Sequence, residues 1–149
     1  MPIPTVQVNI VSQSGVQIPE YALDESSGVD LRAFLDAPVT LNVHQRVLIP
    51  TGLNMAIPTG YEAQIRSRSG LALNHGIIVL NSPGTIDAGY RGEIKVLLIN
   101  LGQDPFIIEP HMRMAQCVFT PVVRARFHRV DRLAASERES GGFGSTGTH

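Results

Sequence analysis

Apolar and polar residues alternate through much of the chain, the period-two pattern of strands with one buried face. Val6, Val8 and Ile10 are separated by Gln7 and Asn9. In residues 29–34, Val29, Leu31 and Ala33 fall on one face and Asp30 and Arg32 on the other. Comparable runs occupy residues 39–43, 46–49, 53–57, 61–66, 76–80, 93–100, 106–109 and 113–119, and residues 122–130 are a candidate for one more. Turn chemistry separates them, at Asp36-Ala37-Pro38, Pro50-Thr51-Gly52 and Pro58-Thr59-Gly60. Only residues 69–75 read as helix, with Ser69 as N-cap, Leu71, Ala72 and Leu73 as helix formers and Gly76 as the stop. At under two turns this helix depends on tertiary support. Short strands punctuated by Gly and Pro predict an all-β sandwich or barrel with one short helix. Low helix content weighs against a βαβ nucleotide fold.

Composition narrows this picture. The 149 residues fit one domain, and 43% hydrophobic content supplies a core. A formal net charge of -1 offers no basic footprint for nucleic acid, so no nucleic-acid partner is expected. Cys117 is the single cysteine, which excludes an intrachain disulfide. No apolar run approaches a membrane span and no signal peptide is visible, so the expectation is a soluble, cytoplasmic protein with no membrane partner. Residues 136–149 differ from the rest: glycines and hydroxyls that build no packed element surround one aromatic, Phe143. The expected division is a β-domain over residues 1–135 and a flexible Gly-rich tail over 136–149.

Candidate chemistry gathers in a few places. Residues 81–94 bend two extended arms, through Pro83-Gly84 and Ala88-Gly89, around the carboxylate of Asp87. Such a bend offers backbone donors and acceptors to a flat ligand; equally, Asp87 would cap a plain hairpin. Asp87 and Tyr90, three apart, face opposite sides of a straight strand, so a shared ligand requires a bend at Ala88-Gly89. Arg66-Ser67-Arg68-Ser69-Gly70 leads into the short helix and combines free N–H groups with arginines, a phosphate cradle or an ordinary capped turn. Asp30 follows a glycine on its strand, placed to reach a metal-bound water or to make local hydrogen bonds. Gln116 sits in an apolar strand and needs a hydrogen-bond partner. In a straight strand Arg113 would share its face with Ala115 and Cys117. The scattered histidines lack metal-ligand spacing, and no Gly-x-Ser-x-Gly or Walker-type loop is present.

In order, the stretches are Ser-Gly-Val-Asp-Leu-Arg-Ala (27–33), Arg-Ser-Gly-Leu-Ala (68–72), Gly-Thr-Ile-Asp-Ala-Gly-Tyr-Arg-Gly-Glu (84–93), Arg-Met-Ala-Gln (113–116) and Arg-Glu-Ser-Gly-Gly-Phe-Gly-Ser-Thr-Gly (138–147). This ordered set resembles the trimeric dUTPase family. The resemblance implies a jelly-roll-like β-barrel of β-clip type. It also implies a homotrimer whose active sites are each built from all three chains. The implied reaction is Mg²⁺-assisted attack of water on the α-phosphorus of dUTP, giving dUMP and pyrophosphate. Carried over by position, Asp87 would hold and activate the water. Asn81 and the arm containing Thr85 and Ile86 would read the uracil edge, and Tyr90 would pack on the deoxyribose. Arg68, Ser69, Gly70 and Gln116 would contact phosphates, and Asp30 would reach Mg²⁺ through water. In the closing tail Phe143 would stack on uracil. Arg138, Ser145 and Thr146 would grip the terminal phosphates, with Gly144 in the same binding set.

One position departs from the family pattern. Glu139 follows Arg138 where glycine is usual, which predicts a weakened or altered clamp unless the carboxylate points away from the triphosphate. A dCTP deaminase-like enzyme and a non-catalytic nucleotide-binding protein are the alternatives on this fold. Asp87, Tyr90 and the complete tail weigh against both.

Overall fold

The computed structural model describes residues 3–144 and Gly147. Ten strands and one helix follow in order: β1 (Asn9–Ser12), β2 (Val29–Arg32), β3 (Val39–Leu41), β4 (Arg46–Ala56), β5 (Tyr61–Arg66), α1 (Ser69–His75), β6 (Ile77–Val79), β7 (Gly84–Ile86), β8 (Glu93–Asn100), β9 (Phe106–Ile108) and β10 (Arg113–Pro121). They form a sheet β1-β4-β8-β6, a sheet β2-β10-β5-β7 and a ribbon β3-β9, paired antiparallel throughout. The all-β fold with one short helix is thus as expected.

Alternation sets the core. Val29 and Leu31 of β2, Ala63 and Ile65 of β5, Ile94, Val96 and Leu98 of β8, and Ala115 and Cys117 of β10 are buried between the two sheets. Each fully buried Leu or Ile stabilises by roughly 1.5–3 kcal/mol relative to exposure. Asn100 is polar yet fully buried, and its bonds explain it. Its Nδ2 donates to the Leu41 and Asp104 carbonyls at 2.9 Å each, and its Oδ1 accepts the Gly102 N–H at 2.9 Å. The end of β8 is thereby tied to the ribbon. Helix α1 ends where predicted: Gly76 is left-handed at φ 68°, and its N–H bonds to the Ala72 carbonyl.

Four local expectations are corrected. Pro50-Thr51-Gly52 does not separate two strands; it is an irregularity inside β4, where the register with β8 shifts between Pro50 and Asn54. Gly52 takes φ 70° there, while Thr51 Oγ1 donates to the Ile94 carbonyl at 2.6 Å and keeps the strands joined. The first strand lies at Asn9–Ser12, later than the expected 6–10, because it pairs with residues 53–56 of β4. Ser69 is the first helical residue; the N-cap is Arg68, which makes no side-chain cap bond. Residues 122–130 form no strand and are exposed throughout. Among the described residues they have no partner strand, and extended backbone needs one.

Candidate functional site

The bend at residues 87–90 is present. Strand β7 ends at Ile86, and the Tyr90 N–H closes a turn onto the Asp87 carbonyl at 3.0 Å. Arg91 braces the turn: its Nη1 donates to the Ala88 carbonyl at 2.6 Å and the Tyr90 carbonyl at 2.9 Å. The Tyr90 hydroxyl donates to the Glu93 carbonyl at 2.9 Å, laying the phenol over Gly92, where any side chain would collide with it. Asp87 itself is exposed, because it lies beyond the end of an edge strand.

The hairpin is anchored to the irregular part of β4. Glu93 Oε1 accepts the Gly52 N–H at 2.9 Å, and Asn54 Nδ2 donates to the Arg91 carbonyl at 2.9 Å. Sequence reasoning missed Asn54, Arg91 and Glu93 in this supporting role. The left-handed Gly52 within Pro-Thr-Gly was the available signal.

Strand β7 pairs with β5 on one side only, through Gly84–Ile65, Thr85–Gln64 and Ile86–Ala63. Among the described residues its other edge has no partner strand, which leaves backbone N–H and C=O groups open to a further partner. Asn81 is exposed, and its Nδ2 lies over Gly84, close to where a side chain there would begin. The Ser82–Pro83 peptide between them is cis.

The second cluster lies beyond the other end of β5. Gln116 finds its predicted partner: Nε2 donates to the Ser67 carbonyl at 3.1 Å. Ser67 Oγ in turn accepts the Val79 N–H at 2.9 Å, which fixes the entry to α1. Ser69 and Gly70 are exposed at the helix start. Arg68 Nε pairs with Asp30 Oδ1 at 3.1 Å, and Arg113 Nη1 with Asp30 Oδ2 at 3.3 Å. The straight-strand placement of Arg113 therefore fails: a register shift between Arg113 and Ala115 turns it from the core toward Asp30 and Gln116. Among the described residues no group of three or more His, Cys, Asp or Glu could hold a metal ion. Cys117 is inert here, because burial pushes its thiol up to about 12.

In the tail, Arg138 Nε donates to the Gly141 carbonyl at 2.8 Å. Glu139 stands at φ 45°, the left-handed region that favours glycine, and its Oε1 accepts the Ser136 N–H at 2.9 Å. Its carboxylate thus turns back along the tail. Phe143 is fully exposed, Gly144 follows at φ 86°, and Ser145 and Thr146 lie outside the described residues.

One chain does not bring these groups together. Asp30, holding Arg68, stands on β2 at one edge of the sheet, and Asp87 follows β7 at the other. Three strand spacings, about 14 Å, separate those edges.

The site therefore consists of a strand edge beside a carboxylate and an arginine-flanked helix start, carried on an all-β fold. The dUTPase family profile matches residues 14–147. The deoxyuridine 5'-triphosphate nucleotidohydrolase of Chlamydia caviae is 58% identical over 138 residues, 91% of this chain and 94% of that protein. Its namesake in Fusobacterium nucleatum is 46% identical over 142 residues, covering 95% and 97%. The dUTPase of Staphylococcus bacteriophage 80alpha, solved with dUpNHpp, superimposes with a TM-score of 0.87 at 24% identity, covering 97% of this chain and 100% of that one. A phage phi11 dUTPase, described with a structural Mg(II) ion, gives 0.76 at 19% identity, covering 85% and 98%. This chain belongs to the dUTPase family.

Proposed function

We propose that the chain is a dUTP diphosphatase in which each site combines the hairpin of one copy with the phosphate cradle of another. Homology at 46–58% identity to dUTP nucleotidohydrolases supports the activity. The observation that carries the site is the turn closed by Tyr90 N–H on Asp87, which lets a carboxylate and an aromatic flank one substrate.

Water held on Asp87 attacks the α-phosphorus. A phosphorus–oxygen bond forms, the bond to the bridging oxygen breaks, and pyrophosphate leaves while the carboxylate takes the water's proton. Uracil lies along the free edge of Thr85 and Ile86, with Asn81 completing the base edge. Tyr90 packs on the deoxyribose and leaves no room for a 2′-hydroxyl. Cytosine presents the wrong edge and leaves buried polar groups unpaired, a penalty of about 10⁴ to 10⁵; thymine's methyl is excluded by contact for roughly 10- to 200-fold. Arg68, Ser69, Gly70 and Gln116 of the cradle hold phosphates. Residues 136–149 close over the nucleotide, with Phe143 on the base and Arg138, Gly144, Ser145 and Thr146 around the triphosphate, which excludes water.

Among the described residues no cage for a metal is found, and both Asp30 oxygens already face arginines. Asp30 would be the residue to reach the waters of a Mg²⁺ carried in on the triphosphate, while Arg68 keeps its Nε on Asp30 and offers its remaining nitrogens to phosphate. Bound there, Mg²⁺ neutralises phosphate charge.

The assembly is a homotrimer. The outer face of β4, β8 and β6 supports it: Leu48 stands opposite Leu97 and Ile78 opposite Ile99, with Leu48 and Leu80 exposed, an apolar face suited to a second copy. We assign the protein to the cytoplasm. No helix among the described residues is long and apolar enough to cross a membrane.

Incubation with Mg²⁺ and each of dUTP, dCTP, dTTP and UTP, reading pyrophosphate and base absorbance, tests the reaction. Pyrophosphate from dUTP alone is expected, with Asp87→Asn slowing turnover at least about 100-fold. Deamination of dCTP, or full activity in Asp87→Asn, would overturn it.

A further inference from the structure

Arg113 is not among the phosphate contacts above, yet it ties the cradle together. Strand β10 starts irregularly, and the register shift between Arg113 and Ala115 brings the Arg113 side chain to Asp30. Three contacts then close a ring. Asp30 Oδ2 faces Arg113 Nη1 at 3.3 Å, Asp30 Oδ1 faces Arg68 Nε at 3.1 Å, and Arg68 Nη1 donates to the Arg113 carbonyl at 3.3 Å. The ring borders an open groove of about 910 Å³ between residues 15–22 and β2.

We propose that Arg113 is a positioning residue for the triphosphate, acting on Arg68 through Asp30. The proposal rests on the dUTP reading of the cradle. Arg113 occupies one Asp30 oxygen, so Arg68 holds the carboxylate through a single nitrogen and keeps others for phosphate. Its carbonyl fixes the same guanidinium from the far side. A guanidinium held in place beforehand loses less rotamer freedom when it grips an anion. Without Arg113, the freed Oδ2 is open to the second nitrogen of Arg68. The resulting bidentate pair is the strong form of this interaction and turns the fork away from phosphate. The local charge also falls by one where a triphosphate must bind.

The test compares wild type, Arg113→Gln, Arg113→Lys and Asp30→Asn by steady-state kinetics on dUTP, inhibition by pyrophosphate and by dUMP, and thermal melting. Arg113→Gln is expected to raise the KM for dUTP and the pyrophosphate inhibition constant about tenfold, the scale of one charge-assisted hydrogen bond. The dUMP constant should stay within about twofold, because the hairpin binds the nucleoside. Arg113→Lys should restore most of the loss, since its ammonium still occupies Oδ2. Arg113 is half-exposed, so melting should hold. An unchanged pyrophosphate constant in Arg113→Gln would overturn the proposal, as would equal weakening of pyrophosphate and dUMP. Absence of dUTP turnover in wild type would instead overturn the activity itself.

Discussion

Glu139 shows how one side chain can bear on the proposed closure of the tail. A residue with a Cβ at φ 45° is strained, and left-handed backbone costs non-glycine residues roughly 1–2 kcal/mol. The bond from the Ser136 N–H to its carboxylate offsets part of that and keeps the negative charge turned back along the tail. The expected conflict of this carboxylate with a triphosphate is eased if that direction holds when the tail closes, while the strain remains. Glu139→Gly should lower the KM for dUTP by about fivefold, as the clamp closes without strain; identical KM values would contradict this. Asp87 teaches a different lesson. The role proposed for it rests on the motif around it, whereas its exposure could not be read there. Burial depends on what covers an edge strand, and among the described residues nothing covers this one.

At the scale of elements, local signals were readable and long-range ones were not. Helix α1 could be found because its formers and its left-handed Gly76 act within a few residues. The irregular stretch of β4 could not. Pro50-Thr51-Gly52 carries genuine turn chemistry, and only β8, some forty residues later, keeps it within one strand. That stretch matters for function because Glu93 and Asn54 hang the hairpin from it. Glu93→Ala leaves the buried Gly52 N–H unpaired, which should cost about 1–3 kcal/mol of stability. Turnover should also fall, while Glu93→Gln, which keeps an acceptor oxygen, should restore most of both. Melting temperature and kcat of the two variants check this; equal loss in both would point to charge rather than the hydrogen bond. Strand β10 repeats the pattern, since a straight strand would have sent Arg113 into the core.

The whole molecule explains what its parts leave over. Two clefts flank the sheets, one beside Ala88, Gly89 and Arg91, the other beside Asp30 and Arg113, and neither joins hairpin to cradle. Residues 122–130 keep an apolar pattern that no described residue covers, and Phe143 is fully exposed. These features become coherent if the functional unit is larger than one chain, which no alternation pattern can state. The most direct test is complementation. Asp87→Asn lacks the carboxylate and Arg68→Ala lacks the cradle, so each alone should be nearly inactive. Refolded together at equal amounts into a cyclic assembly, about a quarter of the sites should combine an intact hairpin with an intact cradle from a neighbour, and dUTP turnover should return to about a quarter of the wild-type value. Turnover of the mixture no higher than that of the separate variants would contradict a site shared between copies.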